Sequence, residues 1–359
     1  MLNDRPRFLR ADRGIQPCEA RIAVVVPCYK VRDRVLGVLA KIGSEVSAIY
    51  VVDDRCPEGS GEHVERNASD DRIRIIRHAE NKGVGGAVIS GYQAAIEDGI
   101  DVIVKIDGDG QMAPELIPQF VAPILDGYAD YTKGNRFYDL SEIGQMPPLR
   151  ILGNAALSFM AKFSTGYWDL FDPTNGYTAI HSTVAAHLPF EKISKRYFFE
   201  TDVLFRLGTM RASVLDIPMD ASYGNEESNL RIAKVFPEFL VKHTKNAFKR
   251  IFYSYFLRDL SVASLELVFG TGLLCFAVLF GGHHWSHALA TGQPTPVGTI
   301  VLAALSALVG VQLFLAFLSY DMRPRTSRAL HTFMPFGVRA VVPPATKFGA
   351  NDPSRGKPG

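Results

Sequence analysis

Between residues 261 and 320 the chain has no lysine, no arginine and one acidic residue, Glu266. So little charge excludes an ordinary solvated helix pair, because surface helices carry a polar face opposite their apolar stripe. The stretch divides into apolar runs at about 262–282 and 297–320, and each meets the roughly 20 residues that a helix needs to cross a bilayer core. Cysteine is scarce: Cys18, Cys28, Cys56 and Cys275 are scattered with no CxxC pair. This excludes a disulfide framework and a structural zinc site. No apolar core segment stands within the charged Met1–Ala20, so a secretory signal peptide is not expected.

What charge there is divides unevenly. The net charge of +2 conceals 25 basic against 32 acidic residues over 1–228, a net of −7, and 14 against 5 over 229–359, a net of +9. Seven Lys/Arg lie in 229–260 and seven in 321–359, while the His283–Pro296 linker has none. By the positive-inside rule both long ends are cytoplasmic and the apolar pair forms a transmembrane hairpin. Ile232–Leu260 sets Phe236, Phe239, Phe248, Phe252 and Phe256 among Lys234, Lys242, Lys245, Lys249 and Arg250. That spacing describes an interfacial helix with its cations near lipid phosphates. The resulting division is an extension (1–20), a catalytic domain (21–228), juxtamembrane helices (229–260), two spans (261–320) and a basic tail (321–359).

From Arg21 onward, short β-branched runs alternate with amphipathic stretches, the order of an α/β fold with a mostly parallel, Rossmann-like sheet. Strands are read at Arg21–Pro27, Ala48–Asp53, Ile73–Arg77 and Asp101–Asp107, with helices at Val31–Ile42, Ser60–Asn67 and Gly83–Glu97. Such sheets bind ligands beyond the carboxyl ends of their strands. Three polar clusters stand there: Pro27-Cys-Tyr-Lys30, Asp53-Asp54 and Asp107-Gly-Asp-Gly-Gln111.

Asp107 and Asp109 flank a glycine at a strand end, and two hard carboxylates on a loop suit Mg2+ or Mn2+ shared with a nucleotide's phosphates. Asp53 and Asp54 can accept hydrogen bonds from a base or ribose, or be solvated strand ends. Asn81-Lys82-Gly83-Val84-Gly85-Gly86-Ala87 opens a helix. It is either a phosphate cradle with Lys82 beside it or a place of close backbone packing.

Taken in order, VVVPCY, VVDD, NKGVGGA, VKIDGDGQ, Gly134-Asn135-Arg136 and Asp172-Pro-Thr-Asn-Gly-Tyr177 resemble the family 2 glycosyltransferases of GT-A fold. With an interfacial helix and two spans behind them, the whole resembles the polyprenyl-phosphate glycosyltransferase group. The resemblance implies inverting transfer of one sugar from a UDP- or GDP-linked donor to undecaprenyl or dolichyl phosphate at the cytoplasmic face of the inner membrane. It implies Pro27, Tyr29, Asp53 and Asp54 at the nucleoside and Asp107, Asp109 and Gln111 at metal and diphosphate, with Lys82 counted among the donor-binding residues. Arg136, Arg150 and Arg231 fall to the acceptor phosphate, Asp172 to orienting or base duty, and Glu200 and Asp202 stand as second acids at a helix head. Self-association through the spans is expected, and a nucleic-acid partner is not. Two departures stand out. Lys30 and Val31 replace the usual Asn and Glu, and Tyr223-Gly-Asn-Glu-Glu-Ser228-Asn229 replaces a basic loop. The Gln-x-x-Arg-Trp mark of processive synthases is absent. The other readings are a family 2 transferase with a different lipid acceptor and a non-catalytic nucleotide-sugar-binding scaffold.

Overall fold

The computed structural model describes residues 20–138, 148–219, 232–323 and 328–334. The extension with Cys18, the loop from Tyr223 to Asn229 and Arg231 lie outside the described residues. Strands β1 (Ile22–Cys28), β2 (Val46–Asp53), β3 (Ile73–Arg77) and β4 (Val102–Lys105) form from the four β-branched runs. Helices α1 (Arg32–Leu39), α2 (Ser60–Asn67) and α3 (Val84–Glu97) connect them. Then follow α4 (Ile117–Leu125), β5 (Tyr131–Asn135), α5 (Pro148–Thr165), β6 (Thr178–His181), α6 (Ser182–Ala186), α7 (Phe199–Met210) and β7 (Val214–Pro218).

The seven strands lie in the order β3-β2-β1-β4-β6-β5-β7. Every pairing is parallel except the two made by β6, which runs against β4 and β5. Helices cover both faces, so β1 is buried along its whole length. Ala23 and Val25 pack with Tyr50, Val88 and Tyr92 on one side, Val24 and Val26 with Ile49, Val51 and Val104 on the other. At Gly91 a Cβ would stand 2.3 Å from Val25 Cγ1, which is why the middle of α3 carries a glycine against the sheet.

Beyond the sheet come α8 (Ile232–Phe252), a π-helical turn (Tyr253–Arg258), α9 (Val262–Thr291) and α10 (Val297–Asp321). The last two are long and apolar enough to cross a membrane. They form an antiparallel hairpin, with Gly270 against Gly310 and Gly281 against Ala303. A Cβ on Gly310 would stand 3.1 Å from the Gly270 carbonyl oxygen, the close approach small residues permit. Helix α9 outruns the first apolar run. It continues through His283–Thr291, which the sequence reading gives to the linker, and ends at Gly292 with φ +68°. Loss of hydropathy ends an apolar run but does not end a helix. At 1.5 Å per residue α9 is about 45 Å long, and its polar last turns exceed a core of roughly 30 Å.

A buried ion pair fastens this hairpin to the sheet domain. Arg250 of α8 meets Asp321, the last residue of α10, through Nη1 to Oδ1 at 2.6 Å and Nη2 to Oδ2 at 2.9 Å. Tyr255 Oη and Trp168 Nε1 also donate to Asp321, while Arg250 Nε and Nη2 donate to the Phe163 carbonyl at the end of α5. A second attachment follows the hairpin. The amides of Leu330 and His331, and the His331 ring, bond the buried carboxylate of Asp130 just before β5. The His331 ring also stacks on His181 at 4.1 Å.

Removing one member of a buried pair strands the other's charge, at a cost of about 3–5 kcal/mol. Asp321→Ala should therefore lower the thermal midpoint of the detergent-solubilised protein well below wild type. An unchanged midpoint would contradict the account of this contact.

Candidate active site

The carboxyl edges of β1, β2 and β4 bring the three polar clusters together. Cys28 pairs with Asp53 across β1 and β2, and the Asp107–Gln111 loop lies on the neighbouring turn. There Gly108 faces Val26, the Pro27 carbonyl and Val31. Tyr29 is half exposed beside this junction. Because β6 is antiparallel, its entry loop, Asp172–Tyr177, reaches the same edge. A Cβ at Gly176 would stand 2.6 Å from both Asp107 Oδ2 and Lys105 Nζ.

Asp53 and Asp54 are buried, so the solvated-end reading does not describe them. Asp53 accepts the amides of Cys56 at 2.7 Å and Gly61 at 2.8 Å, shaping the entry to α2. Asp54 accepts the amides of Lys82 and Gly83, both at 2.8 Å, and bonds His78 Nδ1 at 2.7 Å. The glycine-rich stretch is close backbone packing. Gly85 and Gly86 donate their amides to the Lys195 carbonyl, and a Cβ at Gly83, whose φ is +82°, would stand 2.5 Å from that oxygen. Those helix-entry amides thus have protein partners.

Beneath the edge lie charges that the motif reading did not include. Lys105 is 1% exposed and bridges Asp107 Oδ1 and Glu200 Oε1, each at 3.0 Å. Burial alone would depress its ammonium, but the carboxylates of Asp107 and Glu200 outweigh it and hold the lysine above its ordinary value. Asp109 is shifted upward by burial and by the neighbouring Asp107 carboxylate, and accepts the Gln111 amide at 3.0 Å. Two carboxylates on a half-buried turn fit a divalent cation whose other ligands come from a diphosphate and water. Among the described residues no group of three or more His, Cys, Asp or Glu gathers as a metal cluster.

Arg136, just past β5, makes a two-point contact with Asp172, Nε to Oδ2 at 2.8 Å and Nη2 to Oδ1 at 3.2 Å. The Asp172 side chain is 1% exposed and the Arg136 side chain 31%. The part-exposed guanidinium is thus held by a buried carboxylate. Glu200 and Asp202, two apart in the first turn of α7, face different partners. Glu200 meets Lys105, whereas Asp202 accepts from the Ser194 amide and Asn246 Nδ2 of α8, away from the Asp107 loop. Arg150 belongs to the first turn of α5. Lys133 of β5 is fully buried, donates to the Asn175 carbonyl, and is pushed down to about 8 by burial. Lys105 had a visible signal, a cation closing an apolar strand that must find partners, whereas the polar sequence of β5 gave none for Lys133.

The mostly parallel sheet with loops gathered at its carboxyl edge is the architecture of a GT-A fold. Residues 23–188 match the model of glycosyl transferase family 2, so the chain carries a domain of that family. It is similar to undecaprenyl-phosphate mannosyltransferase of Micrococcus luteus, 28% identical over 55% of this chain and 82% of that protein. It is also similar to polyprenol monophosphomannose synthase of Mycolicibacterium smegmatis, 26% identical over 55% of this chain and 76% of that protein. UDP-N-acetylglucosamine–dolichyl-phosphate N-acetylglucosaminyltransferase of Methanococcus voltae is 32% identical over 42% and 60%. Among solved structures, glucosyl-3-phosphoglycerate synthase of Mycobacterium tuberculosis with Mn2+, UDP and phosphoglyceric acid has a TM-score of 0.48 at 15% identity, over 64% of this chain and 78% of that one.

Asp54→Ala would leave two amides and a histidine without their acceptor. An unmade buried hydrogen bond costs about 1–3 kcal/mol, so stability should fall by at least that much. Limited proteolysis should newly cut between residues 78 and 86, and wild-type resistance there would refute the clasp.

Proposed function

We propose that this protein transfers a single sugar from a UDP- or GDP-linked donor to a polyprenyl phosphate at the cytoplasmic face of the membrane. The observation that carries the reading is the pairing of a family 2 domain with an apolar hairpin, fastened by Arg250 and Asp321. An enzyme so moored meets acceptors held in lipid. The names of its relatives, which act on undecaprenyl, polyprenol and dolichyl phosphates, point the same way.

In this reading Pro27 and Tyr29 receive the nucleoside, in loops shaped by Asp53, Asp54 and the Lys82 amide. Asp107 and Asp109, with Gln111 beside them, hold Mg2+ or Mn2+, which when bound neutralises the departing diphosphate. Lys105 and Glu200 keep Asp107 in place from below. Arg136 presents its guanidinium to the acceptor phosphate, joined by Arg150 and Arg231. An oxygen of that phosphate forms the new bond to the anomeric carbon as the bond to the diphosphate oxygen breaks, with inversion, and the electron pair leaves on the nucleoside diphosphate. A phosphate monoester is already largely ionised at neutral pH, so the step needs positioning and relief of charge repulsion more than a base. Asp172, held by Arg136, acts here as an orienting group. Asp202 acts by tying α7 to α8. Self-association through the hairpin belongs to the same proposal.

The direct test is mass detection of the lipid product after incubating purified protein with undecaprenyl phosphate, Mn2+ and a panel of UDP- and GDP-sugars. One donor should yield a lipid-phosphate-linked sugar, and no product with any donor would refute the reading. Removing one preorganised charge-stabilising group costs on the order of 100-fold. Asp109→Ala and EDTA should each reach that loss, and Arg136→Ala should weaken use of the lipid more than donor binding. Orientation is checked on single-cysteine variants at 292–296, which an impermeant reagent should label from outside, and protection there would reverse the assignment.

A further inference from the structure

Asp216 of β7 stands beside Lys133 of β5 in the parallel register. No motif singles it out. Its Oδ2 accepts the backbone amide of Phe171 at 2.8 Å and, more weakly, Asn135 Nδ2 at 3.4 Å. Phe171 immediately precedes Asp172, and Asn135 immediately precedes Arg136. One oxygen thus holds the neighbour of each member of the Arg136–Asp172 pair. The other oxygen, Oδ1, is buried with no hydrogen-bond partner among the described residues. A purely structural tether would be cheaper as an amide, which buries no charge.

We infer that Asp216 is a positioning residue, which sets the approach of Arg136 to Asp172 by bonding the residue ahead of each and so aims the guanidinium at the acceptor phosphate. Its effect on rate rests on the reaction proposed above, whereas the tether stands apart from it. The charged groups facing Asp216 are Lys133 of β5, Asp172 of the β6 entry loop and Lys162 of α5. Burial, with the Asp172 carboxylate, raises the carboxyl against the pull of the Phe171 amide, Lys133 and Lys162, and the balance lies at about 6. The ionised form accepts both donors more strongly than the protonated form. Transfer should therefore rise with pH as Asp216 ionises, on top of the rise from the acceptor phosphate's own ionisation at about pH 6, and in Asp216→Asn only the acceptor's limb should remain.

The experiment uses the full chain in detergent, as wild type, Asp216→Asn, Asp216→Ala, Arg136→Ala and Asp216→Ala/Arg136→Ala. Amide exchange is followed over 131–138 and 169–176, and transfer over a pH series. In Asp216→Ala exchange should quicken by about fivefold or more in those two segments and remain wild-type in β1 and β2, as expected of a local opening. The same variant should lose about ten- to 100-fold in kcat with the donor KM within about twofold, the mark of an interaction that counts in the transition state. The double variant should be no slower than Arg136→Ala within about twofold, since the two substitutions disable one unit. Unchanged exchange, or losses that multiply in the double variant, would overturn the inference. Should Asp216→Ala fail to fold, Asp216→Asn, whose amide oxygen keeps the tether, decides by its pH profile, and an acid limb as steep as wild type's would also overturn the inference. If wild type makes no lipid-linked sugar from any donor, the reaction reading falls and amide exchange alone decides the tether.

Discussion

Lys105 is where the sheet, the Asp107 loop and α7 meet. Its ammonium is almost wholly withdrawn from water, and a lysine so placed keeps its charge only with anions in contact. Asp107 and Glu200 are those anions. Both are therefore held in position by the protein's own charge. Gly176 completes the arrangement, because a side chain there would collide with the Lys105 ammonium and the Asp107 carboxylate. The entry loop of β6, with Asp172, is drawn to the same edge.

The same obligation recurs through the molecule. Asp54 is satisfied by the glycine-rich entry to α3, Asp172 by Arg136, Asp202 by α8, and Arg250 by Asp321. Each pair joins segments far apart in the chain. Helix burial explains why the sheet is stable, and these contacts explain why its loops and the hairpin sit where they do.

Much of this was legible in the residues. The β-branched runs named the first four strands to within a few residues, because a sheet covered on both faces leaves no other use for them. The charge-free runs named both long helices, although α9 passes its expected end because backbone hydrogen bonding continues where hydropathy stops. The Asp107 and Asp109 segment was visible from its place at a strand end, and the Arg136 segment from the family resemblance. Long-range partners were not. Nothing local says that Glu200 turns to Lys105 while Asp202, two residues on, turns to Asn246, since the choice depends on which neighbours α7 acquires. Asp216 and Lys133 escaped notice because β5 and β7 are short, and only their register places the two side by side. The glycine-rich segment left two uses open, and the Lys195 carbonyl decided between them.

The attachment of His331 to Asp130 gives the chain an unusual geometry. It leaves the sheet domain, passes through both long helices, and is anchored again on the same domain. A body tethered to a sheet of fluid at one point can pivot and dip, whereas one sewn at both ends of a short stalk keeps a fixed height and attitude. Reach must then come from the other reactant. In the proposed reaction a flexible isoprenoid, swinging its headgroup through the thickness of the interface, would do the travelling while the sheet's edge waits for it.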